Sequence, residues 1–321
     1  MRILIADDEP TTLLLLGSAL KEWGYEVVTV RDGNAAWDVL RLADSPPLAV
    51  LDWMMPGLSG IELCRKVREA SEAPFVYLVL LTGKAKTQDI VQGMESGADD
   101  YLSKPFDKQE LKVRLRAGQR IVDLHEALRI HATCDALTGI WNRRMILEIL
   151  GRECARAARE GTAVGVIIAD LDHFKRINDT IGHLAGDAVL LEASRRMSSV
   201  LRAYDAIGRY GGEEFLVVLP GCGQASTVAV AERMRQVIKG TEVATLMGEV
   251  HITVSLGAVI DEGRSSDADE LIKTADAALY RAKRQGRNRV EVAARSPFHV
   301  LSSVADAQIA ITPADMPHCT D

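Results

Sequence analysis

Arg209-Tyr210-Gly211-Gly212-Glu213-Glu214-Phe215 sets a glycine pair and an acidic pair between two apolar runs, residues 204–208 upstream and 215–220 downstream. The pattern predicts a hairpin, two strands meeting at a tight turn whose Gly-Gly pair tolerates positive φ. Adjacent carboxylates at its tip repel each other unless a cation lies between them, and oxygen ligands of that kind suit Mg²⁺. Taken alone, the turn is either a metal-holding turn or a solvated acidic hairpin. The rest of the chain must decide.

Working outward, residues 163–169 form an apolar run of strand length that ends in Asp170-Leu171-Asp172-His173-Phe174-Lys175. A strand there delivers Asp170 to its end, where it could share a metal with Glu213 and Glu214. Few protein carboxylates plus phosphate oxygens are the usual setting for Mg²⁺–nucleotide chemistry. Further on, Ala282-Lys283-Arg284-Gln285-Gly286-Arg287-Asn288 offers cations suited to a triphosphate, with Arg287 next to a glycine. Standing alone, that basic run would read as a solvated helix end.

The 321 residues suggest two domains at roughly 100–200 residues each. A net charge of −7 and a pI near 5.6 argue against nucleic acid or an anionic membrane as the main partner. Residues 1–8 hold an apolar run too short for a signal peptide, and residues 75–81 fall far below the roughly 20 needed to span a bilayer. A cytoplasmic protein is expected. Cys64, Cys134, Cys154, Cys222 and Cys319 are odd in number and lack C-x-x-C spacing, which predicts reduced packing residues rather than a disulfide frame or zinc site.

In the first half, strand-length apolar runs at 3–6, 27–30, 48–51, 75–81 and 98–102 alternate with amphipathic segments such as 61–68 and 89–95. That alternation predicts a five-stranded parallel sheet with helices on both faces, and a site beyond the carboxyl ends of its strands. At those ends stand Asp7 and Asp8, Asp52, Thr82 and Lys104. Asp7 and Asp8, with Asp52, can hold one Mg²⁺ that offsets repulsion between an incoming phosphoryl group and the Asp52 nucleophile. Lys104 can then pair with the acyl phosphate and Thr82 can donate to it, with Tyr101 changing rotamer as the strand ends move inward.

This half resembles the response-regulator receiver domain over its whole length. The matching motifs are Asp7-Asp8, Asp52-Trp53-Met54-Met55-Pro56-Gly57 with Gly60, Leu81-Thr82-Gly83, and Asp100-Tyr101-Leu102-Ser103-Lys104-Pro105-Phe106. The resemblance implies a flavodoxin-like fold, phosphorylation at Asp52 by a cognate histidine kinase or phosphotransfer protein, and a switching face at the fourth helix, fifth strand and fifth helix.

From Asp107, a ready N-cap, the pattern runs helically to about Thr133. Ala117, Ile121, Leu124 and Leu128 step by four, three and four, the seam spacing of a coiled coil, although Gly118 weakens the helix by about 1 kcal/mol. A helix continuing from the receiver, and pairing with its copy, would carry the switch onward.

The second half is similar to the GGDEF family of diguanylate cyclases. The match opens at Asp135-Ala136-Leu137-Thr138-Gly139-Ile140-Trp141-Asn142-Arg143-Arg144 and runs through Asp170–Lys175, the Gly-Gly-Glu-Glu-Phe signature and Tyr280-Arg281-Ala282-Lys283. Glu in place of Asp at 213 is a common active form. The implied fold is α+β, with an antiparallel-rich sheet like that of nucleotidyl cyclases. By position, Asp170, Glu213 and the Leu171 carbonyl resemble the metal ligands, Glu214 assisting a second Mg²⁺. Asn178 and Asp187 resemble the guanine readers, and Lys175, Lys283 and Arg287 the triphosphate contacts. Arg202 and Asp205 match the R-x-x-D product-inhibition site, with Arg233 as a second contact. His173 and His183 are expected to pack in loops rather than ligate metal.

The organisation expected is a receiver domain over 1–120, a helical linker over 121–133, a GGDEF domain over 134–292 and an unordered tail over 293–321. The activity implied is condensation of two GTP to cyclic di-GMP and two pyrophosphates by a homodimer, regulated through Asp52. The alternative is a catalytically inactive scaffold that binds cyclic di-GMP or signals by phosphorylation alone, but such proteins usually carry a degraded signature and this one is intact.

Overall fold

The computed structural model describes residues 1–70, 74–83, 87–263 and 267–293, with backbone alone at 87–90. Its chain divides into two compact units, Met1–Ala132 and Thr133–Asp321. Of the tail expected over 293–321, Ala293 is described, its N–H donating to the Ala258 carbonyl at 2.8 Å, and the rest lies outside the described residues.

The first unit alternates β1 (Arg2–Ala6), α1 (Pro10–Glu22), β2 (Glu26–Val30), α2 (Gly33–Leu40), β3 (Leu48–Asp52), α3 (Gly60–Glu69), β4 (Tyr77–Thr82), α4 (Thr87–Glu95), β5 (Asp100–Ser103) and α5 (Lys108–Thr133). All strand pairs are parallel, in the order β2-β1-β3-β4-β5. Period-two alternation divides the apolar side chains between two cores. Leu4, Ala6, Ala49, Leu51, Leu78 and Leu80 face one, while Ile3, Ile5, Leu48, Val50, Val79 and Leu81 face the other. A strand buried on both faces reads as a continuous apolar run, which is why these segments stood out. Since β1 lies between β2 and β3, the connections diverge there and a crevice opens at the carboxyl ends of β1 and β3.

Local signals set the helix starts. Ser59 and Glu62 form a reciprocal capping box on α3, and the Asp107 carboxylate accepts from the backbone N–H groups of Gln109 and Glu110 at the start of α5. Two strands begin later than their apolar runs. Phe75 and Val76 precede β4, whose ladder begins where Tyr77 meets the Pro47 carbonyl, and Ala98 and Asp99 precede β5.

The second unit holds α6 (Arg143–Glu160), β6 (Val164–Leu171), α7 (Phe174–Ile181), α8 (His183–Ser199), β7 (Ala206–Arg209), β8 (Glu214–Pro220), α9 (Gln224–Lys239), β9 (Val243–Thr245), β10 (Gly248–Val250), β11 (Val254–Asp261), α10 (Ala268–Arg284) and β12 (Val290–Val292). Its main sheet has the order β12-β11-β6-β8-β7, antiparallel except at the β11–β12 edge. All eight residues of central β6 are buried. Val164, Val166 and Ile168 pack under α6 and α10, while Ile167, Ala169 and Leu171 meet Phe215, Val217 and the α8–α9 side. Each fully buried Leu, Ile or Phe contributes about 1.5–3 kcal/mol of transfer free energy, so both faces strongly fix the register of β6.

Candidate active site and phosphoacceptor cluster

Glu213 and Glu214 sit where β7 returns as β8. The expected hairpin is present with a four-residue connection, Tyr210 to Glu213, closed by the Tyr210 N–H on the Glu214 carbonyl at 2.8 Å. The role expected of its glycines differs. Neither Gly211 nor Gly212 has positive φ. A Cβ on Gly211 would meet the tip of the Glu214 side chain and turn that carboxylate aside, whereas Gly212 faces open surroundings.

Register brings the acids together. Asp170 on β6 is paired with Glu214 on β8, and the Leu171 N–H donates to the Glu213 carbonyl at 3.3 Å. Lys283, from the last turn of α10, donates to Asp170 Oδ2 at 2.7 Å. Burial pushes the Asp170 carboxyl above the ordinary range, partly opposed by Lys283. Glu213 and Glu214 are raised by burial first and then by the charge of Asp170. Like charges held half-buried beside one lysine suit a divalent cation, which would favour all three ionised forms. A compact three-carboxylate group, with oxygens within 4.8 Å, occurs among the described residues at Asp7, Asp8 and Asp52; Asp170, Glu213 and Glu214 are more loosely set.

Asn178 on α7 lies against Gly186 so closely that a Cβ there would overlap its side-chain oxygen, which sets Asn178 beside the α8 segment bearing Asp187. Lys175 and Arg287 are exposed. On another part of the unit, the Arg202 N–H donates to Asp205 Oδ2 at 2.8 Å, and Arg233 on α9 donates to the Val200 carbonyl at 3.2 Å. The other Asp205 oxygen, Oδ1, is buried without a hydrogen-bond partner. His173 and His183, expected to pack in loops, are exposed, and His173 adopts a left-handed backbone at the start of α7.

In the first unit, Lys104 Nζ bridges Asp7 Oδ2 at 2.7 Å and Asp52 Oδ1 at 2.6 Å. Asp7 is fully buried and Asp52 nearly so; burial raises the Asp52 carboxyl and Lys104 partly reverses this. Thr82 is buried at the end of β4, its carbonyl accepting the Lys104 N–H at 2.7 Å. Tyr101 is half-buried with the Arg114 guanidinium 5.6 Å from its ring centre. Cys64, Cys154 and Cys222 are buried and Cys134 half-buried; burial pushes the Cys64 thiol up to about 12, so it is a packing group rather than a nucleophile. Cys319 lies outside the described residues.

Three features escaped sequence reasoning. Arg209 donates to the Gly212 carbonyl at 2.8 and 3.1 Å and pairs with Asp135 at 3.2 Å, tying residues 135–139 to the acidic turn. Arg143 stacks on Tyr210 at 4.5 Å. Asp172, two residues beyond Asp170, is buried and accepts three hydrogen bonds. The second acid of Asp170-Leu171-Asp172 was the available signal for the last; its partners had none.

The first unit is thus a doubly wound sheet with an acid–lysine cluster at its switch point, and the second sets carboxylates and a lysine together where β6 ends and β8 begins. Residues 3–116 match the response regulator receiver domain, and residues 132–289 match the diguanylate cyclase, GGDEF domain. The chain is 31% identical over 299 residues to the response regulator PleD of Caulobacter vibrioides, covering 90% of this chain and 65% of that protein. It is 41% identical over 187 residues to the diguanylate cyclase DosC of Escherichia coli, covering 57% of this chain and 40% of that protein. The coiled coil and GGDEF domain of DgcB from Caulobacter crescentus, solved in complex with c-di-GMP, matches with a TM-score of 0.54 and 31% identity, covering 58% of this chain and 98% of that one. The chain belongs to the response regulators that join a receiver domain to a GGDEF domain. Among the described residues no helix is long and apolar enough to cross a membrane.

Proposed function

We propose that this chain is a phosphorylation-regulated diguanylate cyclase that acts in the cytoplasm as a homodimer, condensing two GTP into cyclic di-GMP and two pyrophosphates. The observation that carries the reading is the register of Asp170 with Glu214, beside Glu213 and with Lys283 on Asp170, where β6 ends and β8 begins. In each half-reaction the 3′-oxygen of one GTP bonds to the α-phosphorus of the other. The α–β phosphoanhydride bond breaks, pyrophosphate leaves, and the 3′-hydroxyl proton passes to solvent or to a neighbouring carboxylate.

Asp170, Glu213, Glu214 and the Leu171 carbonyl would hold two Mg²⁺, which supply charge against the negative charge developing at the α-phosphate. Lys283 leaves Asp170 for the triphosphate, joined by Lys175 and Arg287. Asn178 and Asp187 select guanine, since a carboxylate accepts from its N1–H and exocyclic amine and adenine offers no matching donors. One GTP per domain makes the dimer part of the site. Cyclic di-GMP bound at Arg202, Asp205 and Arg233 inhibits, and the partnerless Asp205 Oδ1 supports a ligand there.

In residues 1–120, Asp7, Asp8 and Asp52 would hold one Mg²⁺, a histidine kinase or phosphotransfer protein would phosphorylate Asp52, and Thr82, Tyr101 and Lys104 would respond. Residues 121–133 pass the change to the cyclase domain of 134–292. The test is cyclic di-GMP production from GTP and Mg²⁺ by purified protein, with and without beryllofluoride as an acyl-phosphate mimic. Product that rises with the mimic is expected. No product from folded, dimeric protein stripped of bound nucleotide would sink the cyclase reading.

A further inference from the structure

Asp172 immediately follows β6, and its side chain gathers the ends of two other strands. Its Oδ1 accepts from Ser255 Oγ on β11 at 2.7 Å. Its Oδ2 accepts from Thr253 Oγ1, just before β11, at 2.7 Å and from the backbone N–H of Asn288, two residues before β12, at 3.0 Å. The Asp172 N–H donates in turn to the Thr253 carbonyl at 2.9 Å. With 5% exposure and both oxygens engaged, this carboxylate has little capacity left for a metal, although Asp170 stands two residues away.

Asn288 is the C-terminal neighbour of Arg287, and both hold left-handed backbone, at φ 47° and 60°. Asparagine tolerates that region; arginine adopts it only where its surroundings hold it there. Three restraints do so. Asp172 holds the Asn288 N–H from the β6 side, Arg235 on α9 donates to Asn288 Oδ1 at 2.9 Å, and the Arg287 N–H donates to the Ala282 carbonyl of α10 at 3.0 Å. Ala282 adjoins Lys283, whose ammonium donates to Asp170 at 2.7 Å, so the loop is anchored beside the carboxylate site.

We infer that Asp172 is a positioning residue that holds the Arg287–Asn288 loop in the conformation in which Arg287 meets the nucleotide's phosphates. The inference rests on the cyclase reading above and goes beyond it by separating the roles of the two acids in Asp170-Leu171-Asp172: the first faces the metal and substrate, the second sets a cation that arrives from 117 residues later in the chain, the interval from Asp170 to Arg287. The substitutions follow from donor chemistry. In Asp172→Asn the one remaining oxygen still accepts from Asn288, while the hydroxyl of Ser255 can turn to accept the new amide donor. Asp172→Ala removes the acceptor outright, leaving the Asn288 N–H without it.

The test measures binding of Mg²⁺ with α,β-methylene-GTP, which cannot lose pyrophosphate, and of GMP, to the full chain. Asp172→Ala is expected to weaken the triphosphate analogue about tenfold, the worth of one charge-assisted phosphate contact, with GMP changed by less than about twofold. Asp172→Asn should restore most of the loss, and Asp172→Ala should add nothing in an Arg287→Ala background. Arg235→Ala, which releases Asn288 from the opposite side and keeps Asp172, should give the same triphosphate-selective loss and serves if Asp172→Ala does not fold. Equal losses for the analogue and GMP, or full additivity with Arg287→Ala, would overturn the positioning role and leave the cyclase reading intact. Wild-type protein that binds neither nucleotide would overturn both.

Discussion

Burial holds Asp170, Glu213 and Glu214 above the ordinary carboxylate range, the charge of Asp172 adding to it at Asp170 and that of Asp170 at the two glutamates, with Lys283 opposing them. The sign of the consequence follows from linkage. As pH rises through the ordinary range the unfolded chain releases these protons first and the folded state retains them, so the folded state binds more protons and stability falls until the raised values are passed. Thermal unfolding is therefore expected to show a loss of stability with rising pH across that window, smaller in Glu213→Gln and relieved by Mg²⁺. A wild-type slope that Glu213→Gln leaves unchanged would mean that Glu213 does not share the strained site. The same residues show how chemistry becomes readable: an acid at the end of an apolar strand is visible in a single stretch of chain. Asp172, by contrast, takes its meaning from Thr253, Ser255 and Asn288, more than eighty residues away.

Helix α5 contains both an inward and an outward surface. Leu111, Leu115 and Gly118 are buried, while Leu124 and Leu128 are 63% and 65% exposed. The sequence counts Gly118 as a weak point in the helix, but its lack of a side chain admits the Tyr77 ring, which a Cβ would overlap. Gly118→Ala is therefore expected to destabilise the receiver unit by about 1–3 kcal/mol by overpacking, despite a helix-propensity gain of about 1 kcal/mol. Urea unfolding would check the direction; a net gain would show that Tyr77 can move away. Leu124→Glu with Leu128→Glu removes apolar area that this chain does not itself cover. Self-association, read by sedimentation, should weaken, with unfolding free energy changed by less than about 0.5 kcal/mol per site. A dimer unaffected by both changes would move the self-pairing surface elsewhere.

At the scale of the molecule, each unit has its own sheet with a core on both faces. If Asp52 is the input, Asp52→Ala should leave basal cyclic di-GMP production within about threefold of wild type, an allosteric coupling of under about 1 kcal/mol, and abolish its response to beryllofluoride. Full activation of that variant by a phosphodonor would remove the receiver as the switch. If Arg202 is the product contact, cyclic di-GMP should inhibit Arg202→Ala at least about tenfold less strongly, the loss expected for a forked arginine contact. Unchanged inhibition would place the product elsewhere.

The sequence by itself determined the alternation of strands and helices, the two-unit plan, and the acids and lysines at strand ends, because each is written in local periodicity or a short motif. Residues 3–6 and 163–169 read as strands since both faces are buried and the apolar run is unbroken. Only the tertiary structure decided which groups restrain one another. It set Lys104 between Asp7 and Asp52, Lys283 on Asp170, Arg209 between Gly212 and Asp135, and Asn288 between Asp172 and Arg235. It also left Gly211 beside the Glu214 carboxylate and neither turn glycine at positive φ. The physical reason is range: propensity and periodicity act over a few neighbouring residues, whereas a hydrogen bond or a steric limit depends on whatever the register of distant strands brings within about 3 Å.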